Sequence, residues 1–137
     1  MKDISLKAVL ISSVFNFVLM VLLIIVLGAI YTAYMTSTNS AMSEAEIISS
    51  FEASWFSMLA LIAPLPAGYL AASIAKRRPY LHSLLSSSLN VLWGVFCMIF
   101  LVPVTLIMLP MLVINVALSL AGGWLWIQRH KFRRSAD

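Results

Sequence analysis

Ala63-Pro64-Leu65-Pro66-Ala67-Gly68-Tyr69-Leu70-Ala71-Ala72-Ser73-Ile74-Ala75-Lys76-Arg77-Arg78-Pro79-Tyr80-Leu81-His82 is the stretch around which the rest of the chain is organised. It opens as an apolar segment interrupted by two prolines and a glycine, and continues as a helix of small residues. It closes on three consecutive cations and a proline that turn the chain back. One short segment thus contains a weak point in a helix, a membrane exit and a hairpin.

Downstream, Tyr80 to Gln128 carries no formal charge for almost fifty residues, too long for one crossing of a bilayer and suitable for two. Both flanks of this run are basic, Lys76-Arg77-Arg78 on one side and Arg129-His130-Lys131-Phe132-Arg133-Arg134 on the other. Like flanks belong on the same side of the membrane, which requires an even number of crossings. The midpoint falls near Pro103, whose missing N–H and bias against helix at Val102 make it the natural turn. Helices are therefore expected at about 80–101 and 104–128.

Upstream, Ala8 to Tyr34 runs for about 27 residues without a charge, enough to cross a hydrocarbon core at about 1.5 Å per residue. A secretory signal has a shorter apolar core and a small-residue cleavage site, neither of which is found here. An uncharged span is therefore expected at about 8–34, after the short lead that carries Lys2 and Lys7. Thr36 to Glu52 is the polar outer connection, with Glu44, Glu46 and Glu52 and no cation. Ser43-Glu44-Ala45-Glu46 has the capping-box form, so a helix is expected to begin near Glu44, with Ser49-Ser50-Phe51-Glu52 as a second possible start. A further span is expected at about 53–75, with Trp55 near its outer end.

Composition agrees. Of the 137 residues 62% are hydrophobic and 10% charged, and the mean hydropathy is +1.01. Soluble domains carry about a quarter charged residues. The expected class is thus all-α, an integral membrane four-helix bundle forming a single domain over 1–137. Every Lys and Arg lies in the N-terminal lead, the connection at 76–78 or the basic tail at 129–137, so both termini are expected to be cytoplasmic. Tyr80, Trp124 and Trp126 would mark the inner interface, and Tyr31, Tyr34 and Trp55 the outer one. The basic residues, Lys76, Arg77, Arg78, Arg129, Lys131, Arg133 and Arg134, fit anionic lipid headgroups, each contributing on the order of 1 kcal/mol near a charged leaflet. Nucleic acid is not an expected partner, because the cations sit in short clusters beside apolar runs.

The prolines remove the helical donors for the carbonyls of Ala60 and Ile62 in mid-membrane. Counted from the inner ends, Asn16, Asn90 and the break Pro64-Leu65-Pro66-Ala67-Gly68 all lie roughly 12 to 17 Å deep, with Asn115 slightly further out. Helical spacing places small and polar residues on common faces: Ser83, Ser87, Asn90, Gly94 and Cys97; Asn115, Ser119 and Gly122; and Ser57, Pro64, Gly68, Ala72 and Ala75. Lipid gives no reason to favour such residues over Leu, so these stripes are expected to be packing seams. The alternative is a mid-membrane site built from Asn16, Asn90, Asn115, Pro64, Pro66 and Gly68, since unwound carbonyls and side-chain oxygens coordinate ions and polar solutes in transporters.

Nothing in the chain points to enzymatic chemistry. No ionisable residue lies well inside a span, the histidines His82 and His130 sit apart at the inner edge, and the lone Cys97 excludes an internal disulfide or a Cys-based metal set. No cofactor and no metal is expected, a solvated acidic face being the simpler reading of the three glutamates. An internal repeat is suggested by Gly68-Tyr69-Leu70 against Gly123-Trp124-Leu125, and by Ser12-Ser13 with Asn16 against Ser86-Ser87 with Asn90. The opposing reading is that any two membrane exits look apolar, then aromatic, then basic.

The hairpin Gly68-Tyr69-Leu70-Ala71-Ala72-Ser73-Ile74-Ala75, with Arg77-Arg78-Pro79 and His82, resembles a pattern in small uncharacterised four-helix membrane proteins of bacteria. In them a glycine and an aromatic precede an Ala-rich exit, a basic turn and a histidine. The resemblance covers about fifteen residues and implies a bacterial inner-membrane location, without a specific activity. Small multidrug carriers are of similar length but look unlike this chain, since their acidic residue in the first helix has no counterpart. The expected role is a non-enzymatic accessory or scaffold subunit that self-associates or binds another membrane protein. The alternative is a small channel or carrier for an ion or polar solute.

Overall fold

A computed structural model describes residues 4–38, 42–54, 58–100 and 108–134, with side chains at 4–38, 42–54, 58–96 and 110–131. Among the described residues the fold is all-α: five helices, one 3-10 turn and no strand. Trp55, Ser57 and Pro103 lie outside the described residues, and Cys97, Arg133 and Arg134 outside the described side chains.

Helix α1 runs Leu6–Thr38. It begins two residues before the uncharged run because Ser5 caps it, its Oγ accepting from Ala8 N–H at 3.3 Å. Helix α2, Glu44–Ala53, starts from the expected capping box, with Ser43 as N-cap and Glu46 at N3. The second possible start at Ser49 is not used; Ser49 and Ser50 lie inside α2 and bond back to the carbonyls of Glu46 and Ile47. The helix ends at Ser54, whose N–H and Oγ both donate to Phe51 O.

The continuous helix expected at 53–75 is divided instead. A 3-10 turn covers Leu59–Ile62, and helix α3 covers Pro64–Ala75. Pro64 and Pro66 occupy the first turn of α3, where an N–H has no intrahelical acceptor and its loss costs little. The turn before them tightens, so that Ala63 N–H bonds to Ala60 O at 3.1 Å. Ala60's carbonyl thus finds its donor in the neighbouring backbone, and neither Asn16 nor Asn90 is needed for it.

The connection to helix α4, Pro79–Phe100, is tight. Lys76 and Arg78 both take left-handed backbone conformations, φ 56° and 47°, and Lys76 closes α3 by donating to Ala72 O. Helix α5, Met108–Arg134, carries the last apolar run directly into the basic tail, which is helical rather than loose through Arg134. Leu6–Thr38 and Pro110–Lys131 are each long and apolar enough to cross a membrane. Leu59–Ala75 is apolar but shorter, and the first half of α4 holds His82 and four serines.

α3 lies at the centre. It packs against α1, α4 and α5, most extensively against α5, while α1 and α5 do not touch among the described residues. A two-fold exchanging the two hairpins would require α1 to meet α5 as α3 meets α4, so the described packing does not follow the suggested repeat.

The packed region is confined to one end of the bundle. It is formed by the first part of α1, all of α3, the first half of α4 and the second half of α5, with Ala8, Ala67, Ala71, Ala72 and Ser119 among its buried residues. Its largest fully enclosed side chains are His82 and Pro64. No large aliphatic side chain is fully enclosed there among the described residues; Val14, Phe17, Leu22, Ile25, Leu92 and Val113 face outward. Such an inside-out distribution is what a lipid surround permits, since packing of small residues replaces the hydrophobic effect between helices.

Candidate functional site

Small residues set the closest approaches. A Cβ added at Gly68 would overlap the carbonyl of Ser119, and one at Gly122 would overlap the carbonyl of Leu65. α3 and α5 therefore meet backbone to backbone, and only glycine fits at either crossing point. A Cβ at Gly123 would collide with Ser83 Oγ, which fixes the approach of α4 to α5 in the same way.

That proximity brings serine hydroxyls onto neighbouring backbones. Ser83 Oγ donates to Gly68 O at 2.9 Å, joining α4 to α3, and Ser119 Oγ donates to Ser83 O at 2.9 Å, joining α5 to α4. Across the α1–α4 seam, Ser12 Oγ lies 2.8 Å from Ser86 Oγ, and Ser13 Oγ donates to Ser86 O at 3.1 Å. Asn90 Nδ2 donates to the same carbonyl at 3.0 Å. Ser86 is the junction of the seam, and its neighbours Ser12, Ser13, Ser83 and Ser119 are buried with it.

His82 completes this layer one turn below. It is fully enclosed, not interfacial as its place near the cationic turn suggested. Ser5 N–H donates to its Nε2 at 2.9 Å, so Nε2 carries the lone pair and Nδ1 the proton, which points to Arg78 O at 3.1 Å. The imidazole thereby ties the start of α1, one of the orphan donors of a helix N-terminus, to the turn before α4.

The residues of the expected mid-membrane layer are spread over four helices, α1, α3, α4 and α5. Pro64 and Gly68 are buried and Pro66 is half-buried, all within α3. Asn16 is 3% exposed and its Oδ1 has no hydrogen-bond partner; Asn115 is half-buried and its Oδ1 is also enclosed without a partner. No hydrogen bond joins any two of the three asparagines among the described residues. The helices that carry Asn16 and Asn115 are the two that do not meet.

Asn90 is half-buried and faces another feature, an open groove of about 490 Å³ between α1 and α4. Val14 and Phe17 form one wall, Leu89, Leu92, Trp93 and Phe96 the other, and Asn90 and Ser13 supply its polar atoms. Sequence spacing put Asn90 on the seam with Ser83 and Ser87 but did not reveal that it also reaches this outer surface.

The rim of the packed end is cationic. Lys76, Arg77, Arg78, Arg129 and Lys131 are exposed, and Arg129 donates to Tyr69 Oη at 3.3 Å. Trp126 stacks on His130 one turn further on, with ring centroids 4.0 Å apart. At the other end Tyr31 Oη donates to Ser50 Oγ at 3.1 Å and packs beside Phe51, which holds α2 against α1. Glu44 and Glu46 are exposed in the first turn of α2, while Glu52 sits at its far end and lines an apolar cleft with Ile24, Ile25 and Phe51. Glu46 is already engaged by Ser43, whose N–H and Oγ–H lie 2.8 and 2.9 Å from Oε2 and hold the carboxyl below its usual value.

Sequence reasoning missed two members of the polar layer, Ser86 as its junction and His82 as its floor. The signal was present: residues 82, 86 and 90 are four apart and define one helical stripe. Compared with models of known protein families, with curated proteins and with solved structures, the chain matches none of them.

Proposed function

We propose that the chain crosses the bacterial inner membrane four times, with both termini cytoplasmic. In this reading α1, the Leu59–Ala75 segment, α4 and α5 are the spans, and the cations at 76–78 and 129–134 rest among anionic headgroups. We assign it a non-enzymatic role as an accessory or scaffold subunit that assembles with copies of itself or with another membrane protein. The observation that carries this reading is the serine seam: its hydroxyls are engaged between helices, as in a rigid structural element. A four-helix unit with a solid inner half and a lipid-exposed remainder is suited to presenting surface rather than moving solute.

The carrier reading has one observation in its favour, the enclosed and unpartnered oxygens of Asn16 and Asn115. Proteoliposomes separate the two. The scaffold reading expects ion and polar-solute flux equal to that of protein-free vesicles. Flux above that level, abolished by Asn16→Leu with helicity and elution volume unchanged, overturns it. A green fluorescent protein fused after Asp137 is expected to fluoresce in the cytoplasm; a non-fluorescent fusion made at normal levels would reverse the orientation.

A further inference from the structure

The groove between α1 and α4 holds an unusual pair of polar groups for a surface turned to lipid. Trp93 is 53% exposed and its indole N–H has no acceptor among the described residues; its ring stacks on Phe96 with centroids 5.5 Å apart. It lies fourteen residues after Pro79, about 21 Å along α4, and seven before Phe100. Membrane tryptophans gather at the headgroup level, where water or lipid accepts the indole proton. In the four-span reading proposed above, this depth lies within the bilayer, where neither is at hand. One turn before it Asn90, which lines the groove, has committed Nδ2 to Ser86 O, and its Oδ1 has no donor among the described residues.

Each copy thus presents one unanswered donor and one unanswered acceptor, three residues apart on one helix and on one side of it. A donor and an acceptor on the same patch are mutually complementary under two-fold rotation: when Trp93 of one copy meets Asn90 of the other, the second pair forms automatically. The apolar walls suit the same arrangement. Leu92, Trp93 and Phe96 make a ridge beside a groove of about 490 Å³ floored by Val14 and Phe17, which gives each copy both the ridge and the groove to receive it. An acyl chain would fill the groove without answering either polar group.

From these observations we propose that the α1–α4 groove is the interface of a homodimer. It is closed by two reciprocal hydrogen bonds from the Trp93 indole N–H of each copy to Asn90 Oδ1 of the other. The proposal rests on the assembling role given above and specifies its surface and its occupant, a second copy of this chain.

The test uses the full chain in liposomes, with the fraction dimeric read by single-molecule photobleaching over a range of protein-to-lipid ratios. Trp93→Phe, which keeps the aromatic surface, and Asn90→Leu are each expected to weaken dimerisation about tenfold, the loss of two interhelical hydrogen bonds in a membrane. The double variant is expected to be no weaker than either single one, because both changes remove the same pair of bonds. Leu92→Cys in a Cys97→Ser background is expected to form a disulfide between copies under mild oxidation.

A chain that stays monomeric at every density overturns the dimer while leaving a scaffold for some other membrane protein in place. A dimer unchanged by Trp93→Phe, or losses that add in the double variant, overturns the groove as its surface. Trp93→Phe keeps the test sound if Asn90→Leu disturbs the fold through Ser86. Flux in the proteoliposome assay, by contrast, would remove the underlying role and not the dimer.

Discussion

The two ends of the bundle are built from different materials. At the packed end four helices meet through glycine, alanine and serine, with α3 and α5 backbone to backbone and hydroxyls bonded across the α1–α4, α3–α4 and α4–α5 seams. At the other end, among the described residues, the last half of α1 packs against the short helix α2 through Tyr31, Ser50 and Phe51. Where helices approach closely, residue size sets the limit and hydroxyls supply the specificity; where they do not, large apolar residues face outward.

Glycine substitution breaks this contrast most sharply. Gly68→Ala and Gly122→Ala each place a methyl group inside a facing backbone, which cannot move without parting α3 from α5. Each is expected to destabilise by about 3 kcal/mol, the upper end of overpacking costs, measured by reversible unfolding in mixed micelles. Gly28→Ala in the outer half meets nothing closer than the Phe51 ring at 3.8 Å. It is expected to stabilise by up to about 1 kcal/mol through helix propensity alone. Equal effects at both ends would dissolve the distinction.

Much of the inner end was legible in the sequence because it obeys a simple rule. Gly68, Ala72, Ser83, Ser87, Ser119 and Gly122 recur at helical spacing in apolar runs, and they do line the seams. The capping box at Ser43 was equally local and formed as read. What was not legible depends on which helices are neighbours. Ser12 and Ser13 gain their meaning from Ser86, more than seventy residues away, and spacing within α1 does not choose between α4 and α5 as partner. His82 was misplaced for the same reason, since its burial follows from Ser5 closing over it. The prolines were recognised as a break, but their ordinary place in the first turn of a new helix appears only once the 3-10 turn upstream is known. The asparagines lie on three helices, two of which do not pack together, and residue counting cannot tell which helices are neighbours.

The seam itself gives the second test, with an intermediate effect. Ser86→Ala removes the hydroxyl facing Ser12 and leaves the carbonyl that serves Ser13 and Asn90. It is expected to cost about 1 kcal/mol, with Ser12→Ala costing little more once Ser86 is already alanine. Ser49→Ala on α2, whose hydroxyl bonds only to its own helix, is expected to change stability by no more than about 0.5 kcal/mol. A Ser86→Ala variant as stable as Ser49→Ala would reduce the seam to shape alone.

The smallest effect concerns the outer end and distinguishes the two ends by pH. Glu46 accepts from Ser43 N–H and Ser43 Oγ–H, bonds that favour the carboxylate over the acid and hold its folded value below the ordinary 4.5. A carboxyl whose value is depressed on folding contributes its stability in full above the unfolded value and loses it as the pH falls through the lower, folded one. Acidification from pH 5 should therefore loosen the first turn of α2, visible as a shift of the Ser43, Glu46 and Ile47 Cα resonances away from helical values. Glu46→Gln, which has no proton to take up, should flatten that response. No Asp or Glu lies in the packed half among the described residues, so carboxyl titration should leave the resonances of Ser12, Ser86 and Ser119 unmoved. Movement of α2 with pH in Glu46→Gln would show that another group controls this end. Movement of the seam would show that the two ends are not independent, because loosening a single exposed turn would then be felt across the bundle.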